Sequence, residues 1–291
     1  MLVTLRLTLR RLALEALVCL AASIVITLGG YLLARIVATA RTPEAVQAWM
    51  GLVPYAKEAL LVAPIVAAIV LGTSLAASEI ERGNAAFAWS IALDRRRWLA
   101  ETAAAGALLA LVVSIPLAWA SAELGAALGP LLDARTSGWI DPAWPLVLAR
   151  PLVAYALAWL AGLLVGRSLP ALLAVILAAA VVIGSLELGF AAGRSAVAIS
   201  IDPATPATFW VSDAVRLTDG RIVPVGEATA LTQPVPGVLS ESMDPQYIAV
   251  TLGLSPELRQ EEPAIEIAGS LAAACVVLIG AVIVLGRRRP G

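Results

Sequence analysis

The groups in this chain with reactive chemistry are carboxylates, guanidinium groups, one amine and two thiols. Asp and Glu total 21, Lys and Arg total 20 with Lys57 the one lysine, and histidine is absent. The missing imidazole removes Ser–His and Cys–His nucleophile pairs, zincin-type metal sites and the commonest general base. A nucleotide-phosphate loop ends its glycine-rich run in Lys followed by Ser or Thr. Lys57 is followed by Glu58 and preceded by Pro54-Tyr55-Ala56, so no ATP site is expected on this chain. Cys19 and Cys275 both lie in apolar runs and read as packing residues rather than a disulfide. No catalytic residue and no metal-ligand set is expected. What remains are charges in unusual company. Glu187, Arg150 and Arg35 lie within or beside long apolar runs. A carboxylate there is costly unless paired or wetted. Glu187 is therefore expected to pair with Arg150 or Arg35, to line a wet cavity, or to snorkel to the headgroups. The second concentration of charge is the stretch 79–98.

The elements that must position these charges are membrane helices. Of the 291 residues, 60% are apolar and only 14% charged. An ordinary soluble domain has about 45–50% apolar and about 25% charged residues, so lipid must cover part of this chain. A spanning helix needs roughly 20 mostly apolar residues. Six stretches qualify, from about Glu15 to Ala38, Ala59 to Ser78, Leu99 to Ala120, Pro151 to Gly166, Ala171 to Ala192 and Ile265 to Gly286. The first has a basic start, but its apolar run is too long for a signal peptide. Arginine placement orients them. Arg6, Arg10, Arg11, Arg82, Arg95, Arg96, Arg97, Arg167, Arg287, Arg288 and Arg289 fall in short pieces on one side. By the positive-inside rule that side is the cytoplasm, and both termini are expected there. The net charge of −1 argues against a nucleic-acid partner.

The expected organisation is all-α: six transmembrane helices, an N-terminal interfacial helix and a small mixed extracytoplasmic segment between the fifth and sixth. Residues 1–12 place Leu2, Leu5, Leu9 and Leu12 on one face. They read as an amphipathic interfacial helix or as an extension of the first span. Residues 13–192 carry the first five spans and 265–291 the sixth with its basic tail. Thr42-Pro43-Glu44 is a good helix start in the first outer loop. The segment 193–264 is polar and proline-rich. A hairpin is expected around Asp219-Gly220, flanked by Trp210, Val211, Val215 and Leu217 and then by Ile222, Val223 and Val225. Pro64 and Pro116 are expected to kink the second and third spans. Gly162 and Gly166 form a small-residue repeat that permits close helix approach, within the chain or between chains. Trp159 falls in mid-span, away from any interface.

The stretch 79–98 divides into three parts. Glu79 and Glu81 make an acidic exit from the second span. Gly83-Asn84 is a break, with Asn84 a natural helix cap. A short helix then carries Phe87 and Ile91, with Trp89 between them, and Arg95-Arg96-Arg97-Trp98 returns the chain to the headgroups. Such a helix either lies flat on lipid or docks in a partner's groove.

Glu-x-Glu-Arg-Gly, a short Ala-Trp segment and Arg-Arg-Arg-Trp together resemble the first cytoplasmic loop of type-2 ATP-binding-cassette (ABC) exporter permeases. The Arg-rich actinobacterial members resemble it most closely. Asn84 stands where that family usually has Thr, and Asp94 interrupts the basic end. The resemblance implies that Glu79, Glu81, Arg82, Gly83, Asn84, Phe87, Trp89 and Ile91 form a coupling loop on an ATPase subunit. It further implies that ATP and Mg bind on that partner and that no cofactor binds here. It also implies a second permease copy or a sister permease facing this one across the second and fifth spans. The implied protein is a non-catalytic, multi-pass subunit of the bacterial cell (inner) membrane that exports a hydrophobic or amphipathic compound. The other reading of the same sequence is a membrane-embedded sensor or immunity protein that acts through its outer segment.

Overall fold

The computed structural model describes residues 13–39, 48–49, 51–81, 95–129, 144–201, 209–216, 220–224, 248–254 and 256–287. In chain order the helices are α1 (Ala13–Thr39), α2 (Val53–Glu81), α3 (Arg95–Leu128), α4 (Leu146–Val165), α5 (Ser168–Val197) and α6 (Pro256–Arg287). Strands β1 (Ile199–Ile201), β2 (Phe209–Arg216), β3 (Ile222–Pro224) and β4 (Ile248–Leu254) lie between α5 and α6. All six helices are long and apolar enough to cross a bilayer. The chain is an all-α membrane protein in its main body. The expected interfacial helix 1–12, the helix start at Thr42-Pro43-Glu44 and the basic pair Arg288-Arg289 lie outside the described residues.

Several helices outrun the apolar windows. α3 continues through Ser121–Leu128, past the expected end of the third span near Ala120. Those residues are mostly strong helix formers, and a helix needs propensity rather than hydropathy to persist. α4 begins at Leu146 and so takes in Arg150. α6 begins at Pro256, well before the expected Ile265. Pro-Glu-Leu-Arg-Gln-Glu-Glu is a helix-start sequence, with Pro at the first position and acids in the opening turns.

The chain divides into two compact units. One holds Met1–Pro130, Pro142–Glu187 and Pro263–Gly291, the other Leu131–Asp141 and Leu188–Glu262. The core of the first unit lies between α2, α3 and α4. Small residues set its closest approach. A Cβ on Gly72 of α2 would lie 2.6 Å from the Cβ of Ala158 on α4, and one on Gly162 of α4 would lie 2.6 Å from the Cβ of Ala76 on α2. Gly72/Ala76 and Ala158/Gly162 are thus two interleaved small-residue pairs at four-residue spacing, and the backbones meet between them. The Gly162 repeat is used inside the chain, against α2. Trp159 is buried beside it, together with Tyr155, Leu71, Leu75 and Leu99. That explains an aromatic far from any membrane interface. α1 joins through a stripe of Ser23, Thr27, Gly30, Ala34 and Val37, and Ser23 Oγ donates to the carbonyl of Val113 on α3 at 2.7 Å.

The second unit contains a four-stranded antiparallel sheet in the order β1-β4-β2-β3. β2 and β3 form the expected hairpin, with Val215 opposite Val223, and Gly220 in its connection has a φ of 86°. Ala214, Val215, Val223 and Leu254 are its buried residues. The central strand β4 was not anticipated. It pairs with β1 and β2 across long chain separations, and such pairings leave no local turn signal.

Candidate functional sites along the fifth helix

α4 ends and α5 begins within two residues. Gly166 closes α4 in the left-handed conformation (φ 68°), with its N–H bonded to the Gly162 carbonyl at 3.0 Å. A Cβ there would lie 2.9 Å from Ile80 Cγ2, so the end of α2 presses directly on this turn. Arg167 follows, and its carbonyl accepts the first intrahelical bond of α5 from Ala171 N at 3.1 Å. A helix start leaves its first N–H groups without internal partners. Pro170 has none to satisfy, which leaves Ser168 and Leu169. Glu81, the last residue of α2, meets the first of these. Ser168 N donates to Glu81 Oε1 at 2.9 Å and Ser168 Oγ donates to Glu81 Oε2 at 2.7 Å. One carboxylate therefore accepts two hydrogen bonds at a helix N-terminus, where the helix dipole also favours negative charge.

About 28 Å further along α5, by helical rise, stands Glu187. It forms an ion pair with Arg150 of α4. The guanidinium also lies 3.9 Å from Glu266 Oε2 on α6. Glu266 is buried, with its side chain 7% exposed, while that of Glu187 is 40% exposed. Three helices thus meet on one guanidinium. A planar fork of five donors suits this placement between two carboxylates. Of the two partners weighed for Glu187, the structure places Arg150 beside it, and Arg35 is exposed on α1 outside this cluster.

The sequence-predicted loop residues divide sharply. Glu81 is described with its bonds. Glu79 falls in the last turn of α2. Arg82, Gly83, Asn84, Phe87, Trp89 and Ile91 lie outside the described residues. At the return end, Arg97 Nε bonds Glu101 Oε1 at 3.2 Å, one turn along α3.

Two residues of these sites were missed from sequence. Ser168 stands two residues before Pro170, a serine and a proline together at a helix start, which is a readable cue. Glu266 lies inside the expected sixth span and met the criterion that singled out Glu187. Elsewhere, a groove of about 640 Å³ runs between α1, α2 and α3, walled by residues such as Val18, Ile26, Val62, Val66 and Leu117. Its wall is almost wholly apolar, with Glu15 and Ser23 among the lining residues, so it suits hydrocarbon.

The family model described as ABC-2 membrane transporter related matches residues 16–189, which take in the first five spans and both polar sites but not Glu266. No curated protein and no solved structure matches the chain.

Proposed function

The chain belongs to the ABC-2 membrane transporter related family, and from that premise we propose that it is the membrane subunit of an ATP-driven exporter. The family and the six spanning helices make it a multi-pass transporter permease subunit. The rest of the reading is ours. ATP and Mg bind a separate ATPase subunit, which docks on the loop 79–98. Both termini and that loop face the cytoplasm of a bacterial cell (inner) membrane. The family match over 16–189 carries this reading, because it includes the Glu-Arg-Gly exit and the loop that follows.

Half a pathway needs a second permease, a copy of this chain or a sister. α5 supports one. Its buried residues are Ala171, Val175 and Ala179 alone, while Leu169, Leu173, Ile176, Leu177 and Val181 are exposed along its length. A broad apolar face on a spanning helix suits a facing permease or a hydrophobic cargo passing beside it. Transport then follows from two conformations with different access, biased by ATP binding on the partner.

Co-expression with the ATPase encoded nearest to its gene tests this. Wild-type chain retains the ATPase through purification in lipid nanodiscs, and Phe87→Ala or Gly83→Val releases it. An ATPase that never co-purifies, or that stays bound to both variants at full rate, ends the reading.

A further inference from the structure

Glu81 stands in the motif that the proposed function assigns to ATPase docking, yet both of its carboxylate oxygens accept hydrogen bonds from Ser168 of the same chain. Two of the acceptor positions of that carboxylate are thus committed within the chain. We propose instead that Glu81 is a positioning residue: it ties the residue from which the 79–98 loop departs to the first turn of α5, so that loop and helix move together. This rests on the permease reading above.

Three observations carry it. The first is geometry. The tie takes two bonds from one residue, at 2.9 and 2.7 Å, at a helix start with few other claims on it. The second is the neighbouring contact of Ile80 against Gly166, which seats the end of α2 on the α4–α5 turn. The third is the character of α5. Its buried stripe is only Ala171, Val175 and Ala179, with Leu172, Val182 and Ile183 packed part-buried against the bundle. Polar contacts at Ser168 and Glu187 add a tie at two heights along it. A helix fixed at points and loosely packed between them transmits a displacement applied at one end. The Glu81 contact is exposed, so it adds little to stability. Its effect lies in direction: a pull on Arg82 is a pull on Ser168.

The test uses the full chain with its ATPase subunit in lipid nanodiscs. It reads ATPase co-purification, the permease-dependent stimulation of ATP hydrolysis, and KM for MgATP. Glu81→Ala keeps the ATPase bound and leaves KM unchanged, but stimulation falls at least fivefold. Ser168→Thr, which keeps both donors, retains stimulation. The discriminating variant is Glu81→Ala with Ser168→Asp. It gives α5 an acidic first turn of its own but no link to α2, and stimulation stays lost. Recovery to wild-type stimulation in that double variant means that Glu81 only caps a helix, and overturns the proposal. Loss of the ATPase from Glu81→Ala makes Glu81 a docking contact, which overturns the proposal and leaves the permease reading standing. A wild-type chain that retains no ATPase sinks both. Should Glu81→Ala not fold, Ser168→Ala reads the same tie with one bond removed. It halves stimulation or worse with the ATPase still bound, and full stimulation there overturns the proposal.

Discussion

α4 and α5 are consecutive, separated only by Gly166 and Arg167, and they are built in opposite ways. Of the apolar window of α4, 61% is buried inside the protein, against 17% for α5. Yet by the mean hydropathy of their spanning windows α5 is the more apolar of the two. In water the order would be reversed, because apolar surface is driven inward. In a bilayer the tails are as apolar as leucine and supply no such drive. What draws α4 inward is shape. Ala158 and Gly162 let its backbone meet Gly72 and Ala76 of α2, and Tyr155 and Trp159 fill the space around that contact. α5 buries only Ala171, Val175 and Ala179 and leaves Leu169, Leu173, Leu177 and Val181 exposed, so it stays at the margin, where charge and capping add to a narrow apolar seam.

Changes in the α2–α4 seam give the largest effects. Gly162→Leu drives a side chain into Ala76 and the backbone of Ala77, where a Cβ alone comes to 2.6 and 3.1 Å. The folded helix bundle is lost, read as the disappearance of the cooperative thermal transition in detergent. On α5, a Cβ at Gly184 meets nothing within 4 Å, and Gly184→Leu leaves that transition in place. Equal losses from the two would erase the contrast. Next in size is Arg150→Met, which removes the guanidinium that Glu187 and Glu266 share. It costs about 3–5 kcal/mol, measured by chemical unfolding in micelles, and Glu187→Gln costs clearly less because the Arg150–Glu266 contact survives. Tyr155→Phe has the opposite sign. The buried Tyr155 hydroxyl has no hydrogen-bond partner among the described residues. Removing it raises stability by about 1–3 kcal/mol, the cost of an unsatisfied buried group. The smallest effect on stability is that of Leu173→Ala with Leu177→Ala on the exposed face of α5. The monomer changes by about 0.5 kcal/mol or less, while permease–permease crosslinking falls if that face is the contact we propose.

Particular residues show how far the chain could be read unaided. Apolar runs near 20 residues located all six spans, because a helix is the form in which one segment satisfies its own backbone in lipid. The Asp219-Gly220 hairpin was readable because its signal is local. The α3 extension to Leu128 and the early start of α6 were not, since hydropathy marks where lipid is tolerated and not where a helix stops. Glu187 stood out as a lone acid in an apolar run, but choosing Arg150 over Arg35 required knowing which helices adjoin α5. Glu81 was read as part of a docking motif, and its bond to Ser168 spans 87 residues of chain.

The sequence by itself determined that this is a six-span membrane protein without an imidazole or a phosphate loop. Those properties depend on composition and on runs along one segment. The tertiary structure alone decided which span became the core and which the margin, because close packing depends on small residues from two distant helices meeting at one height. It likewise decided that Arg150 joins α4, α5 and α6, and that Glu81 fastens α2 to α5. A charge finds its partner in space, and no spacing along the chain records that distance.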